Sequence, residues 1–110
     1  MKKALLVIAV LSSSAFAVER DDPNVLFSTN QNYTTEVAVS WIPVDNVQAR
    51  CEAESRKRKF GGFGYTVEAC SFWDKGPQGQ PTCTVITARN TTMWAVGHEM
   101  RHCFQGPWHK

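Results

Sequence analysis

Four cysteines, Cys51, Cys70, Cys83 and Cys103, constrain this 110-residue chain more than any other feature. A domain of about this length buries too little apolar surface for a large core, and cross-links are the usual remedy outside the cytosol. Two disulfides would add about 2–4 kcal/mol each, and four cysteines can pair in three ways. The order of predicted elements favours Cys70 with Cys83 across neighbouring strands, leaving Cys51 to join one helix to Cys103 on another. A metal site of all four cysteines is the competing arrangement. The long spacings and the lack of a C-x-x-C pair argue against it.

The N-terminus supports an oxidising destination. Lys2 and Lys3 precede an apolar run from Ala4 to Leu11, and Ala15-Phe16-Ala17 is a small-x-small cleavage pattern. Residues 1–17 therefore read as a secretory signal peptide, too short for a membrane span. No cysteine follows the cut, which argues against a lipid anchor. No later stretch approaches spanning length, so the expected product is periplasmic or secreted, with residues 18–110 as a single domain.

Export also changes the charge. The chain has 12 Lys and Arg against 10 Asp and Glu, and loss of Lys2 and Lys3 leaves the remainder formally neutral. Nucleic-acid binding needs a concentrated positive footprint, and nucleic acid is not an expected partner. Arg56-Lys57-Arg58-Lys59 is the one basic cluster. It reads first as a helix end whose cations complement the dipole, and second as a surface for an acidic partner or a lipid surface.

Residues 18–32 form a polar lead-in that touches the core through Val25, Leu26 and Phe27. Thr34 to Ile42 is rich in β-branched residues and predicts a strand stopped by Pro43. Asp45 is a candidate N-cap for a helix to about Lys59, ended by Gly61-Gly62. Strands are expected over Tyr65–Trp73 and Thr82–Ala88, joined by a loop rich in glycine and proline. Asn90, Thr91 or Thr92 then caps a final helix to about Phe104, stopped by Gly106 and Pro107. The predicted fold is α+β: a short antiparallel or mixed sheet of about three strands, a backing helix and a C-terminal helix.

That last helix carries the chemistry. All three histidines lie in the final thirteen residues, and His98-Glu99-Met100-Arg101-His102 is H-E-x-x-H. On a helix the i and i+4 imidazoles stand one above the other and can share a zinc ion. Glu99 is a candidate general base for a water on that metal. With Met93 at zero, the histidines project to about 140° and 180° on a helical wheel. Met93, Val96, Met100, Cys103 and Phe104 lie on the other side. The histidines are therefore expected to face away from the sheet, into a cleft or solvent, with Cys103 turned towards packing. His109 is the candidate third metal ligand, brought back by the turn at Gly106 and Pro107.

The stretch from His98 to His109 resembles the zinc-binding segment of zincin metallopeptidases, especially the metzincin branch, with one extra residue before the glycine. The resemblance implies a small zincin-like fold in which His98, His102 and His109 hold zinc, Gly106 is the turning glycine and Glu99 is the catalytic base. The implied activity is metalloprotease hydrolysis of a protein or peptide substrate. Arg101, Tyr33 and Tyr65 are candidate oxyanion donors. Trp94, Trp108 and Phe63 are candidate cleft walls, and Thr34–Ile42 is the candidate edge for pairing with substrate. Two other classes compete: a catalytically silent, zinc-stabilised binding or accessory protein, and a disulfide-rich surface-binding factor using the basic cluster.

Overall fold

The computed structural model describes Asn24 and residues 26–107. Residues 1–17, expected from sequence to be a signal peptide, lie outside the described residues, as do Val25, Trp108 and His109. A 3-10 turn at Thr29–Gln31 precedes β1 (Ala38–Val44), α1 (Val47–Lys57), β2 (Ala69–Lys75), β3 (Pro81–Ala88) and α2 (Met93–Gln105). The sheet order is β1-β3-β2, with β1 parallel and β2 antiparallel to β3. The α+β class and the mixed three-stranded sheet are as expected from sequence.

Side-chain alternation divides the sheet into two differently furnished faces. Cys70, Phe72 and Ile86 pack with Cys51 of α1 and with Val67, and Ile42, Val44, Val47 and Phe63 border them. Cys83, Val85 and Cys103 of α2 form the second core, bordered by Val37, Val39, Trp73 and Phe104. Adjacent residues of β2 thus serve different helices: Cys70 bonds to α1, while Ser71 reaches α2. The sheet is the middle layer between the two helices.

The disulfides follow this layering and correct the expected pairing. Cys51 bonds to Cys70 and Cys83 to Cys103, each joining one helix to the sheet face beneath it. Cys70 is registered with Ile86, and Cys83 with Trp73. Cys70 and Cys83 are therefore offset along the hairpin and point to opposite faces. Cys51 and Cys103 have the whole sheet between them. No free cysteine remains among the described residues, so the four-cysteine metal site is excluded.

Local chemistry moved several element boundaries. Pro43 does not stop β1; it lies within an edge strand, where a missing N–H costs no ladder bond on the outer side. Asn46, not Asp45, caps α1 by accepting from the Ala49 N–H at 3.0 Å, and Asp45 instead pairs with Arg89 at 2.8 Å. Lys59, at φ 69°, makes the turn out of α1 before the glycines are reached. In the lead-in, Leu26 is 93% exposed and does not reach the core. Phe27 instead takes the Arg101 guanidinium over its ring at 4.3 Å.

The end of α1 is tied down by charge. Arg58 donates to both oxygens of Asp74 at 3.0 and 2.7 Å and to Glu54 Oε1 at 2.8 Å, and lies over the Phe72 ring at 4.5 Å. Arg56 pairs with Glu52 and Lys57 with Glu54. Burial alone would raise the Glu54 carboxyl, but hydrogen bonds from Arg58 and Arg50 and the charges of Lys57 and Arg58 hold it below its ordinary value. No helix among the described residues is long and apolar enough to cross a membrane.

Candidate functional site

Thr92 starts α2 by accepting from the Ala95 N–H at 3.0 Å, and Gly106 ends it at φ 62° and ψ −144°. The helix does not present the face its apolar pattern predicts. Its buried residues are Ala95, His98, Glu99, His102, Cys103 and Gln105, while Met93 is 91% exposed. The first five are spaced i, i+3, i+4, i+7 and i+8, one continuous stripe. The expectation that the histidines face away from the sheet is therefore reversed.

Specific bonds explain the reversal. The Cys83–Cys103 disulfide fixes one edge of the stripe against β3. Trp73 Nε1 donates to the His102 carbonyl at 2.8 Å, fixing the helix over β2. Ser71 Oγ donates to Glu99 Oε1 at 2.9 Å, giving the carboxyl a partner inside the protein. Gln105 donates to the Ser28 carbonyl at 2.8 Å and to Asn32 Oδ1 at 2.7 Å, pinning the lead-in to the end of the helix. Each of these partners lies outside the helix, so a helical wheel cannot weigh them.

The result is a cluster of His98, Glu99 and His102, respectively 5, 3 and 0% exposed. The two imidazole rings lie edge to face with centroids 5.1 Å apart. Trp94 stacks at a tilt on His98 at 4.6 Å, and Trp73 meets His102 at 6.3 Å. His102 Nδ1 is 2.7 Å from the Gly106 carbonyl oxygen, which can only accept. Nδ1 therefore carries the proton in this contact. Burial pushes the Glu99 carboxyl up to about 8, against the pull of the Ser71 hydrogen bond towards the ionised form.

The other candidates separate. Tyr65 packs edge-on to Phe63, and the Tyr65 carbonyl accepts from Gln48 of α1. Phe63 borders the α1 core, so both belong to the other face of the sheet. Arg101 donates to Gln105 at 2.9 Å. Tyr33 packs against Gly106 and donates its backbone N–H to the Phe104 carbonyl at 2.7 Å. The strand beside Glu99 is β2, which carries Ser71, rather than the predicted edge at Thr34–Ile42. Sequence reasoning missed Ser71 and Trp73. Their only trace is a small hydroxyl and an indole two residues apart on one strand face.

No family model matches the chain, and neither a curated protein nor a solved structure matches it. Among the described residues, no group of three or more His, Cys, Asp or Glu could hold a metal ion. These findings overturn the resemblance to the zincin metallopeptidases. Glu99 turns to Ser71 and adds no third ligand to the two imidazoles, and a twelve-residue motif without a matching fold does not define a family.

Proposed function

We propose that the protein is an exported, zinc-dependent hydrolase of peptide bonds. His98 and His102, with His109 from the tail, hold the metal, and Glu99 moves the proton. One observation carries this reading: Glu99, whose carboxyl burial pushes up to about 8, lies on the same buried helix stripe as His98 and His102 and is held by the Ser71 hydroxyl. Structural histidines need no such neighbour, and a general acid–base works best with its pKa close to the working pH.

The donor chemistry suits the metal. Imidazole nitrogens are ordinary zinc ligands, and the Gly106 carbonyl holds the His102 ring through Nδ1. Bound zinc would supply Lewis acidity and a more acidic water. The protein's own residues do the rest. Ser71 holds Oε1 of Glu99, which leaves Oε2 to take a proton from the attacking water and return it to the leaving amine. The packing of α2 on the sheet keeps bulk water from that carboxyl. Export is supported by two disulfides in so short a chain.

A second reading has its own observation. The cluster is almost wholly buried, as a metal that only stabilises a binding or accessory protein would be. The basic cluster gains less support as a docking surface for an acidic partner. Arg56, Lys57 and Arg58 are engaged by Glu52, Glu54 and Asp74, which leaves Lys59 as the cation with no described ion pair.

Zinc content and cleavage of a mixed peptide library decide between the two. The expected result is one equivalent of zinc, with Glu99→Gln keeping the metal and losing hydrolysis by at least about 100-fold. One equivalent of zinc with no cleavage by the parent protein would remove the hydrolase and leave the stabilised binding protein.

A further inference from the structure

We propose that the Lys59–Phe60 bond is a limited-proteolysis site for a trypsin-like serine protease, and that cleavage there gives a two-chain protein held together by Cys51–Cys70. The inference is independent of any metal. α1 ends in a Schellman turn: the Lys59 N–H donates to the Arg56 carbonyl and the Phe60 N–H to the Ser55 carbonyl, both at 2.9 Å. The pivot of such a turn takes a positive φ and is usually glycine, because a Cβ is strained there. Here it is lysine at φ 69°, the only described non-glycine residue with a positive φ, although Gly61 stands just two residues on. The helix dipole does not require this cation, since Arg56 and Lys57 already occupy the last turn.

A protease of this class needs a cation for its acidic specificity pocket and a chain that it can draw out as an extended strand. Among the described cations, Lys59 alone offers both. Arg50, Arg56, Lys57 and Arg101 lie within helices, and Lys75 lies in the β2–β3 ladder. The Arg58 side chain is only 17% exposed, with its guanidinium on Asp74 and Glu54. Arg89 pairs with Asp45, and only residues 89–92 join β3 to α2. Lys59 and Phe60, by contrast, are exposed within residues 58–68, which hold no helix or strand. Gly61 and Gly64 stand in open space there, where an added Cβ would meet nothing within 4 Å. Extending Lys59 into a protease relieves its strained φ at the cost of the two bonds of the turn. Arg58 is the latch on that opening, because its ion pairs hold the end of α1 to β2.

The nick leaves the layers in place. Hydrolysis adds one water across the bond, giving a carboxylate on Lys59 and a new amino terminus at Phe60. The cut falls between Cys51 and Cys70, so their disulfide spans it, and both residues are 0% exposed and shielded from reductant in the fold. Beyond the nick, Gln48 of α1 donates to the Tyr65 carbonyl at 3.0 Å and accepts from the Val67 N–H at 2.9 Å. β1 of the first chain stays paired with β3 of the second. Once the fold is lost, one disulfide alone joins the two chains.

Limited digestion of the oxidised chain with trypsin, followed by electrophoresis and mass spectrometry, tests this. The first cut within residues 26–107 is expected at Lys59–Phe60. One band then persists without reductant and two appear with it, the second chain beginning Phe60-Gly61-Gly62-Phe63. Far-ultraviolet circular dichroism is expected to survive the cut. Lys59→Asn, which puts a residue tolerant of positive φ at the pivot, is expected to slow the cut at least about 10-fold. Asp74→Asn, shown by its circular dichroism to be folded, loosens the latch and is expected to speed the cut about 3- to 10-fold. A first cut elsewhere within residues 26–107, Arg89–Asn90 included, would overturn the proposal. So would an undiminished rate in Lys59→Asn, a slower cut in Asp74→Asn, or resistance of the folded chain to trypsin that digests its reduced form.

Discussion

Glu99 and Ser71 share the interior between α2 and the sheet with two imidazoles, in a domain with little stability to spare. Net folding free energies of such domains are about 5–15 kcal/mol, and each buried polar group costs free energy that its hydrogen bond only partly offsets. Apolar replacements of the same shape commonly stabilise such sites. The double variant Ser71→Ala/Glu99→Leu is therefore expected to gain about 1–3 kcal/mol in the metal-free protein, read as a higher urea midpoint with unchanged slope. Under the proposed function it loses hydrolysis altogether. A loss of stability instead would mean that the Ser71–Glu99 bond is structural.

The two helices differ in what holds them. Cys51–Cys70 fastens α1 to one face of the sheet and Cys83–Cys103 fastens α2 to the other. Replacing either pair by alanine is expected to cost about 2–4 kcal/mol in denaturant titrations. Under the proposed function, only loss of Cys83–Cys103 should also weaken zinc binding, because Cys103 follows His102 directly. Equal effects of the two pairs on zinc would contradict this division. The same contrast shows what was legible in the sequence. Element order followed from caps, β-branched runs and glycine breaks. Thr92, Gly106 and the H-E-x-x-H stretch were visible as local patterns. The face that α2 buries was not, because Ser71, Trp73 and Cys83 come from other elements. Disulfide pairing was hidden for the same reason: it depends on hairpin register and on which face each cysteine occupies. His109 lies outside the described residues, and its role as a ligand belongs to the proposal alone.

At the scale of the whole molecule, two carboxyls shape the response to pH in opposite directions. Glu54 has a folded-state value below its unfolded one, so its contribution is present above the unfolded value and is lost as pH falls through the folded one. Glu99 has a folded-state value raised from 4.5 to about 8. The folded protein therefore holds that proton more tightly than the unfolded chain, and stability falls as pH rises across this interval. A single proton limits the slope to about 1.4 kcal/mol per pH unit. Urea unfolding of the metal-free protein between pH 3 and 9 is expected to show a maximum at mildly acidic pH. Glu99→Gln should flatten the alkaline limb and leave the acid limb unchanged. An unchanged alkaline limb would remove Glu99 as its source.

The connectivity of the disulfides has a consequence for biosynthesis. The bonds are consecutive along the chain, with Cys51–Cys70 complete in sequence before Cys83–Cys103 begins. Under the proposed export, a chain that enters an oxidising compartment N-terminus first exposes its thiols in the order 51, 70, 83, 103. Pairing each thiol with the next to emerge yields the native set, so oxidation in order of arrival is already correct and leaves no mispaired bond for an isomerase to repair.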